Sequence, residues 1–231
     1  MKSYLPLGQL TGVHTDSINC TAFSADGKFL ATGSDDCSLA IWSVDDGSSI
    51  AQHHLNSPIL TAVWDLHVCK RLYFGCIDGT AAYIDEPHVR LIDYPWEFRH
   101  RALQGSIHYI RTGVGNLAVY AFAVSHRTPN IALSVGYEVH IAAPMNVNSA
   151  LSPYCSQFPC LTSNLGSYAS VTILPKPMSL SESKSEPPDS EFADVWGRSL
   201  HFLGSGSKLL ASYLNHGIVY VSIWLVMIVE H

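Results

Sequence analysis

Between residues 14 and 44 the chain alternates short apolar runs with short polar breaks. The runs are Ile18–Ser24, Lys28–Gly33 and Ser38–Val44; the breaks are Ala25-Asp26-Gly27 and Ser34-Asp35-Asp36. Strand-length runs joined by such short polar breaks predict an antiparallel meander. The pattern then returns. Asp78 follows Asp36 by 42 positions, and Arg71–Asp85 repeats the second strand, turn and third strand, with Ile84 in place of Trp42. Ile59–Leu66 supplies the first strand of this copy. A looser third copy runs from Leu117 to Ala142, with strands at Ala118–Ser125, Ile131–Val135 and Glu138–Ala142. A fourth spans Arg198–Ser222, with strands at Ser199–Leu203, Lys208–Tyr213 and Ile218–Ser222, and places Asn215 where the first copy has Asp36.

The order in the first copy is a His, a strand, an Asp-Gly turn, a strand, an Asp turn and a strand ending in Trp. It resembles the WD-repeat family of β-propellers, in which one unit is a four-stranded blade of about 40–45 residues. Two details depart from that pattern: Val13-His14 stands for Gly-His, and Trp42-Ser43 for Trp-Asp. The resemblance is strongest over 14–46 and weakens after 85. It implies an all-β propeller with about four recognisable four-stranded blades and a ring that need not be complete. The blades fall at about 14–54, 57–94 and 106–142 within residues 1–142, and a fourth lies within 198–231. Residues 143–197 form a Pro/Ser/Glu-rich insertion. Its part 175–194 has too little apolar surface to offset its ordering entropy and is expected to be disordered. Tyr168–Leu174 is a candidate outer strand, and residues 4–10 are a candidate strand that closes a ring. Residues 86–104 are a long connection after the second blade. The apolar run Ile218–Val229 is shorter than the ~20 residues of a membrane helix, so it predicts strand and tail. About four blades is the lower limit for propellers, and an exposed tail of this kind invites aggregation. Both features suggest a truncated version of a longer propeller.

Composition narrows the function classes. Charged residues make up 14% of the chain and the formal net charge is −6, with Lys and Arg scattered, so the basic footprint of a nucleic-acid binder is missing. The six cysteines (20, 37, 69, 76, 155 and 160) share no metal-ligand spacing, and Cys20 and Cys76 fall on strands. The N-terminus has no apolar leader-like run, so a cytoplasmic or nuclear chain is expected and secretion is not. The sequon Asn19-Cys20-Thr21 lies on a strand and is discounted.

The resemblance also assigns roles. His14, Thr32, Asp36 and Trp42 are implied to form a hydrogen-bonded set that stiffens the first blade, Asp36 accepting from the imidazole, the imidazole binding the hydroxyl, and the hydroxyl binding the indole N–H. A His–Asp pair beside a hydroxyl could instead serve nucleophilic catalysis, but threonine is a rare nucleophile away from chain N-termini. Gly113–Ala118 matches a dinucleotide-binding glycine pattern, yet a strand follows it where that motif needs a helix. Gly204–Lys208 lacks phosphate-loop spacing and reads as a turn. His53-His54 point to opposite faces of a strand and read as a solvated pair, and Asp45-Asp46-Gly47 reads as a turn, not a calcium cage. No metal and no cofactor is expected.

The function implied is a non-catalytic scaffold that recognises protein or peptide partners, alone as a monomer or within a larger complex, with no membrane partner. Its partner-binding candidates are Thr15, Asp16, Asp35, Asn56, Ile77, Asn116 and His216 on one loop face, where Asp16 and Asp35 favour basic or polar partners. Trp96, beside Arg99-His100-Arg101, is either a binding hot spot or a plug against a neighbouring blade. The alternatives are a propeller that binds a small ligand or acts as an enzyme, and a fragment with no function of its own.

Overall fold

The computed structural model describes residues 8–68, 70–88, 107–110, 112, 116–144, 168–174, 197–204, 206–214 and 217–222. These form fifteen strands, and no helix among them is long and apolar enough to cross a membrane. The first sheet is β1 (Ile18–Phe23), β2 (Phe29–Ser34), β3 (Ser38–Ser43) and β4 (Ser49–His54). The second is β5 (Ile59–Trp64), β6 (Arg71–Cys76), β7 (Ala81–Asp85) and β8 (Ile107–Tyr109). The third is β9 (Val119–Val124), β10 (Ile131–Val135), β11 (Glu138–Pro144) and β12 (Tyr168–Leu174). The fourth has three strands, β13 (Gly197–Leu203), β14 (Lys208–Tyr213) and β15 (Gly217–Ser222). Every sheet is an antiparallel meander in chain order, as expected when short polar turns join consecutive strands.

The four sheets follow one another as propeller blades. β1 packs on β5, β5 on β9, and β9 on β13, whereas no comparable packing joins β13 to β1 among the described residues. The result is an open arc. Each inner strand pair carries one extra residue: Asn19, Leu60, Tyr120 and Arg198 are skipped in the registers of the first to fourth sheets. Such bulges add local twist to a strand.

Glycine sets the spacing between blades. A Cβ on Gly33 would lie 2.6 Å from Ile59 Cγ2 and 2.8 Å from Cys20 Sγ, and one on Gly75 would collide with Val119. At the third crossing the roles are exchanged: Ser134 keeps its side chain, and it is a Cβ on Gly197 that would strike it. Ser134 Oγ donates to the Gly197 carbonyl at 3.0 Å. At each crossing only one strand carries a side chain.

That approach seals three cores, one per blade junction. Leu39, Ile41, Ile59, Leu72 and Phe74 fill the first junction; Tyr73, Tyr83, Val119, Phe122 and Leu133 the second; Val139, Ile141, Phe202 and Leu209 the third. Hydrogen bonds also cross the junctions: Trp64 Nε1 donates to the Ala22 carbonyl at 3.0 Å, and His67 Nε2 to the Ser125 carbonyl at 2.7 Å. Arg71 is buried, but its guanidinium is held by Asp85 at 2.7 and 2.9 Å and lies 4.0 Å from the centroid of the Tyr83 ring. A buried charge paired in this way keeps its hydrogen bonds after losing water.

Several sequence expectations are corrected. Residues 107–109 pair with β7, so they complete the second sheet and do not open the third; the second blade reaches past 94. The expected connection at 86–104 thus lies in sequence between β7 and β8, and its part from 89 on is outside the described residues. The third blade takes Tyr168–Leu174 as its outer strand and so extends beyond 142. The three strands expected for the fourth copy are the three of the fourth sheet among the described residues. Residues 8–10 carry no strand. His53 is not solvated: it is 4% exposed and donates to the Pro87 carbonyl at 2.7 Å, while His54 is exposed. The expectations for residues 1–7, for Trp96 and its Arg-His-Arg neighbours, for Gly113–Gly115, for 175–194, for Asn215 and His216, and for 223–231 fall outside the described residues.

Gly33→Ala and Gly75→Ala should each destabilise the chain by about 1–3 kcal/mol through overpacking. Gly8→Ala, where nothing lies within 4 Å, should leave it unchanged. Urea unfolding of the three variants beside the parent decides it; equal midpoints would remove the spacing role given to the two glycines.

Candidate functional site

The first blade carries a connected set of polar side chains between its turns. Asp36 lies in the turn from β2 to β3, His14 ahead of β1, Thr32 on β2 and Trp42 on β3. His14 Nδ1 donates to Asp36 Oδ2 at 3.1 Å, Thr32 Oγ1 donates to His14 Nε2 at 2.7 Å, and Trp42 Nε1 donates to Thr32 Oγ1 at 2.9 Å. The chain of donors fixes the imidazole tautomer, with its proton on Nδ1. Asp36 also accepts from the Thr15 amide at 2.9 Å, the Ser38 amide at 2.8 Å and the Ser38 hydroxyl at 2.6 Å. Ser38 Oγ in turn accepts from Gln52 Nε2 at 3.2 Å, which ties β4 into the set.

Burial alone would raise the Asp36 pKa, but the hydrogen bonds from Ser38, Thr15 and His14 outweigh it and hold the carboxyl well below the ordinary carboxylate range. The arrangement Thr32–His14–Asp36 has the connectivity of a nucleophilic triad. Its chemistry is closed off, because Thr32 is 3% exposed and its hydroxyl is already engaged on both sides. Ser38, Gln52 and the Thr15 amide are members that the sequence reading did not name. The Asp36-x-Ser38 spacing, in which a carboxylate caps an amide two residues on, was the available signal for Ser38.

The other blades do not carry this set among the described residues. Leu72–Ile84 pairing in the second sheet matches Leu30–Trp42 pairing in the first, so Ile84 replaces the indole and Phe74 replaces Thr32. In the third sheet Leu133 and Ala142 occupy those places, and in the fourth Ala211 and Val221. Blades two to four are held there by apolar contact instead.

The candidate partner-binding residues lie at one end of the sheets. The Asp35, Ile77 and Gly136 amides donate to the Ser17, Pro58 and Ala118 carbonyls at 2.9, 3.0 and 2.8 Å. The turn after each second strand thus rests against the entry to the first strand of its own sheet, in three successive sheets. Thr15, Asp16, Asp35, Asn56, Ile77 and Asn116 stand at these loops and are exposed. Asn19 Nδ2 donates to Asp35 Oδ1 at 2.7 Å and to the Ile59 carbonyl at 3.0 Å, orienting that carboxylate at the junction with the second blade. The described residues contain no group of three or more His, Cys, Asp or Glu able to hold a metal ion. The thiols of Cys20 and Cys76 are pushed up by burial, to about 11 and about 12.

Residues 6–43 match the family model described as WD domain, G-beta repeat. Over 116 residues, or 49% of its length, the chain is 31% identical to WD repeat, SAM and U-box domain-containing protein 1 of Danio rerio, covering 20% of that protein. Over 54 residues, 23% of its length, it is 46% identical to apoptotic protease-activating factor 1 of Rattus norvegicus, covering 4% of it. It is 29% identical over 72 residues to ribosome biogenesis protein bop1-B of Xenopus laevis, which covers 31% of the chain and 10% of that protein. Among solved structures, 96% of the chain superposes on the Cps50 (Swd1) β-propeller domain of Myceliophteria thermophila with a TM-score of 0.56 and 12% identity, covering 57% of that domain. A chain of the mitotic checkpoint complex matches 94% of it with a TM-score of 0.61 and 13% identity, over 52% of its own length. The chain therefore spans about half of each propeller it superposes on, and a fifth or less of these curated relatives.

Thr32→Val should cost about 1–3 kcal/mol for each polar group it leaves buried and unpaired, namely His14 Nε2 and the Trp42 indole N–H. Equal urea midpoints for variant and parent would show that the set adds no stability. For pH, a folded pKa below the ordinary value of about 3.9 means that Asp36 stabilises the fold above that pH, and that the contribution is lost as pH falls below it. The stability of Asp36→Asn should accordingly vary less with pH than the parent's below about pH 4. Parallel slopes in denaturant titrations at pH 2.5 to 5 would assign the acid sensitivity to other groups.

Proposed function

The chain is a WD-repeat protein with the β-propeller fold, and on that premise we propose that it acts as a non-catalytic scaffold that recognises protein or peptide partners through the loop face at the entry to its inner strands. The observation that carries this reading is the shared placement of exposed loops at one end of three successive sheets, fixed by the same backbone hydrogen bond in each. Loops held by a stiff framework are where binding residues collect. Thr15, Asp16, Asp35, Asn56, Ile77 and Asn116 are the proposed contact residues, and Asp16 with Asp35 favours a basic or polar partner. The network of His14, Thr32, Asp36 and Trp42 is assigned a structural role, holding the loop that displays Thr15 and Asp16. No cofactor enters this reading, and neither nucleic acid nor membrane is a proposed partner. A cytoplasmic or nuclear location goes with it, since Cys20, Cys37 and Cys76 are free thiols.

The experiment is charge reversal on that face. Asp16→Lys/Asp35→Lys should weaken binding to an array of basic peptides by about tenfold or more while leaving the unfolding midpoint within ~0.5 kcal/mol of the parent, as is usual for surface substitutions. Unchanged capture of every peptide would place the recognition surface elsewhere.

A further inference from the structure

The second blade keeps the turn carboxylate of the first and loses the group that engages it. Asp35 and Ile77 make the same backbone bond to Ser17 and Pro58, which sets Leu55 where the first blade has His14 and Asp78 where it has Asp36. Ala40 pairs with Gln52 and Ala82 with Tyr109, so Tyr109 stands in place of Gln52. At its Leu55 and Asp78 positions the second blade has a cavity of about 350 Å³, lined by His54, Leu55, Phe74, Asp78, Thr80 and Tyr109. The first blade's cavity of about 360 Å³ is lined by His14, Thr32 and Trp42 but not by the turn carboxylate Asp36. Asp36 accepts four hydrogen bonds from His14, Thr15 and Ser38, but Asp78 Oδ1 accepts only the Thr80 amide, at 2.9 Å, and Oδ2 has no partner among the described residues.

From this vacancy beside a retained carboxylate we infer that the cavity of the second blade receives the arginine side chain of a partner. The inference rests on the scaffold reading above and names the chemistry of one subsite. Three features select arginine. Asp78 offers a carboxylate edge that matches the guanidinium fork. Tyr109 is 66% exposed and presents a ring on which a planar cation stacks. Leu55, half-buried at the rim, offers apolar surface to the methylene stem, and Phe74, buried where the first blade has Thr32, removes the hydroxyl that would satisfy the second nitrogen of an imidazole. Lysine would forfeit the stacked plane and the two-point contact.

The test is titration of N-acetyl-arginine-N-methylamide into the isotopically labelled full chain, followed through the backbone amides of Asp78, Thr80 and Tyr109. Saturable shifts are expected, at affinities about tenfold better than for the leucine analogue and several-fold better than for the lysine analogue. Asp78→Asn should weaken binding by about tenfold. Leu55→His, which supplies an internal imidazole as in the first blade, should weaken it similarly while the chain stays folded. Arginine binding that is equal in Asp78→Asn and the parent, or the absence of saturable shifts in the parent, would overturn the inference. The Asp16→Lys/Asp35→Lys variant separates the two readings. If it loses peptide binding while arginine fails to bind the parent, only this inference falls. If it binds every peptide unchanged while arginine binding still depends on Asp78, the cavity stands and the broader face does not.

Discussion

The close approach of each blade's second strand to the next blade's inner strand is the constraint on which the rest of the molecule depends. Where Gly33 faces Ile59 and Gly75 faces Val119, the β-branched side chain fills the crossing alone; where Ser134 is present, the partner is Gly197. Two side chains at one crossing would push the sheets apart, and the cores between them would lose the contacts that make them close-packed. The swap at the third junction shows that a single side chain per crossing, and not which strand carries it, is what is held constant. The same rule bears on the open arc. The corresponding position of the fourth sheet is Ser212, from its pairing with Ser199, and that of the first is Ile18, from its pairing with Ser34. Set together they would bring two side chains to one crossing, so the ends of the arc are not complementary to each other. Ile18 is 52% exposed.

Above these crossings the blades solve one packing problem in two ways. The first blade links its turns with polar groups that satisfy one another; the other three carry apolar residues at the positions of Thr32 and Trp42. A buried polar set is stable only when every member is paired, and it then fixes geometry more sharply than apolar contact does. The first blade uses six side chains and two backbone amides to meet that condition. Losing the histidine alone would leave Asp36 and Thr32 short of partners, so the remaining positions change together. In the second blade they have: Leu55, Phe74 and Ile84 replace His14, Thr32 and Trp42. Asp78 survives because its carboxylate still caps the Thr80 amide, a local role that does not require the histidine.

Much of this was legible in the chain itself, because turns and alternation are local signals. The runs around 18–44 and 71–85 and the looser copies at 117–142 and 198–222 follow from neighbours in sequence, while the four-residue set of the first blade was implied by the family resemblance. What was not legible depends on distant partners. β8 is three residues long and shows no period, so it becomes a strand only by pairing with β7; β12 was legible as the strand Tyr168–Leu174, but its place beside β11, across a long insertion, was not. His53 was misread because alternation tells that two adjacent side chains oppose each other, not that one of them meets the Pro87 carbonyl. The glycine crossings were silent too. Gly33 and Gly75 sit inside strands, where their reason lies in a blade 26 to 44 residues further on, at Ile59 and Val119.

The cavity of the second blade connects these two themes. A site that arose by adding groups to a surface would show no relation to the fold's own hydrogen bonds. This one lies at the position equivalent to the first blade's histidine, and its carboxylate is set by the turn whose Thr80 amide it caps. The turn that carries its carboxylate is held by the same backbone bond as the turns of the neighbouring blades. Pre-organisation of this kind lowers the ordering cost of association, so a subsite with a single charge can contribute where a flexible one would not. In a repeat architecture, each lost network position is a potential pocket with a ready-made polar floor. Which chemistry it accepts is decided by the few residues that changed when the network was lost.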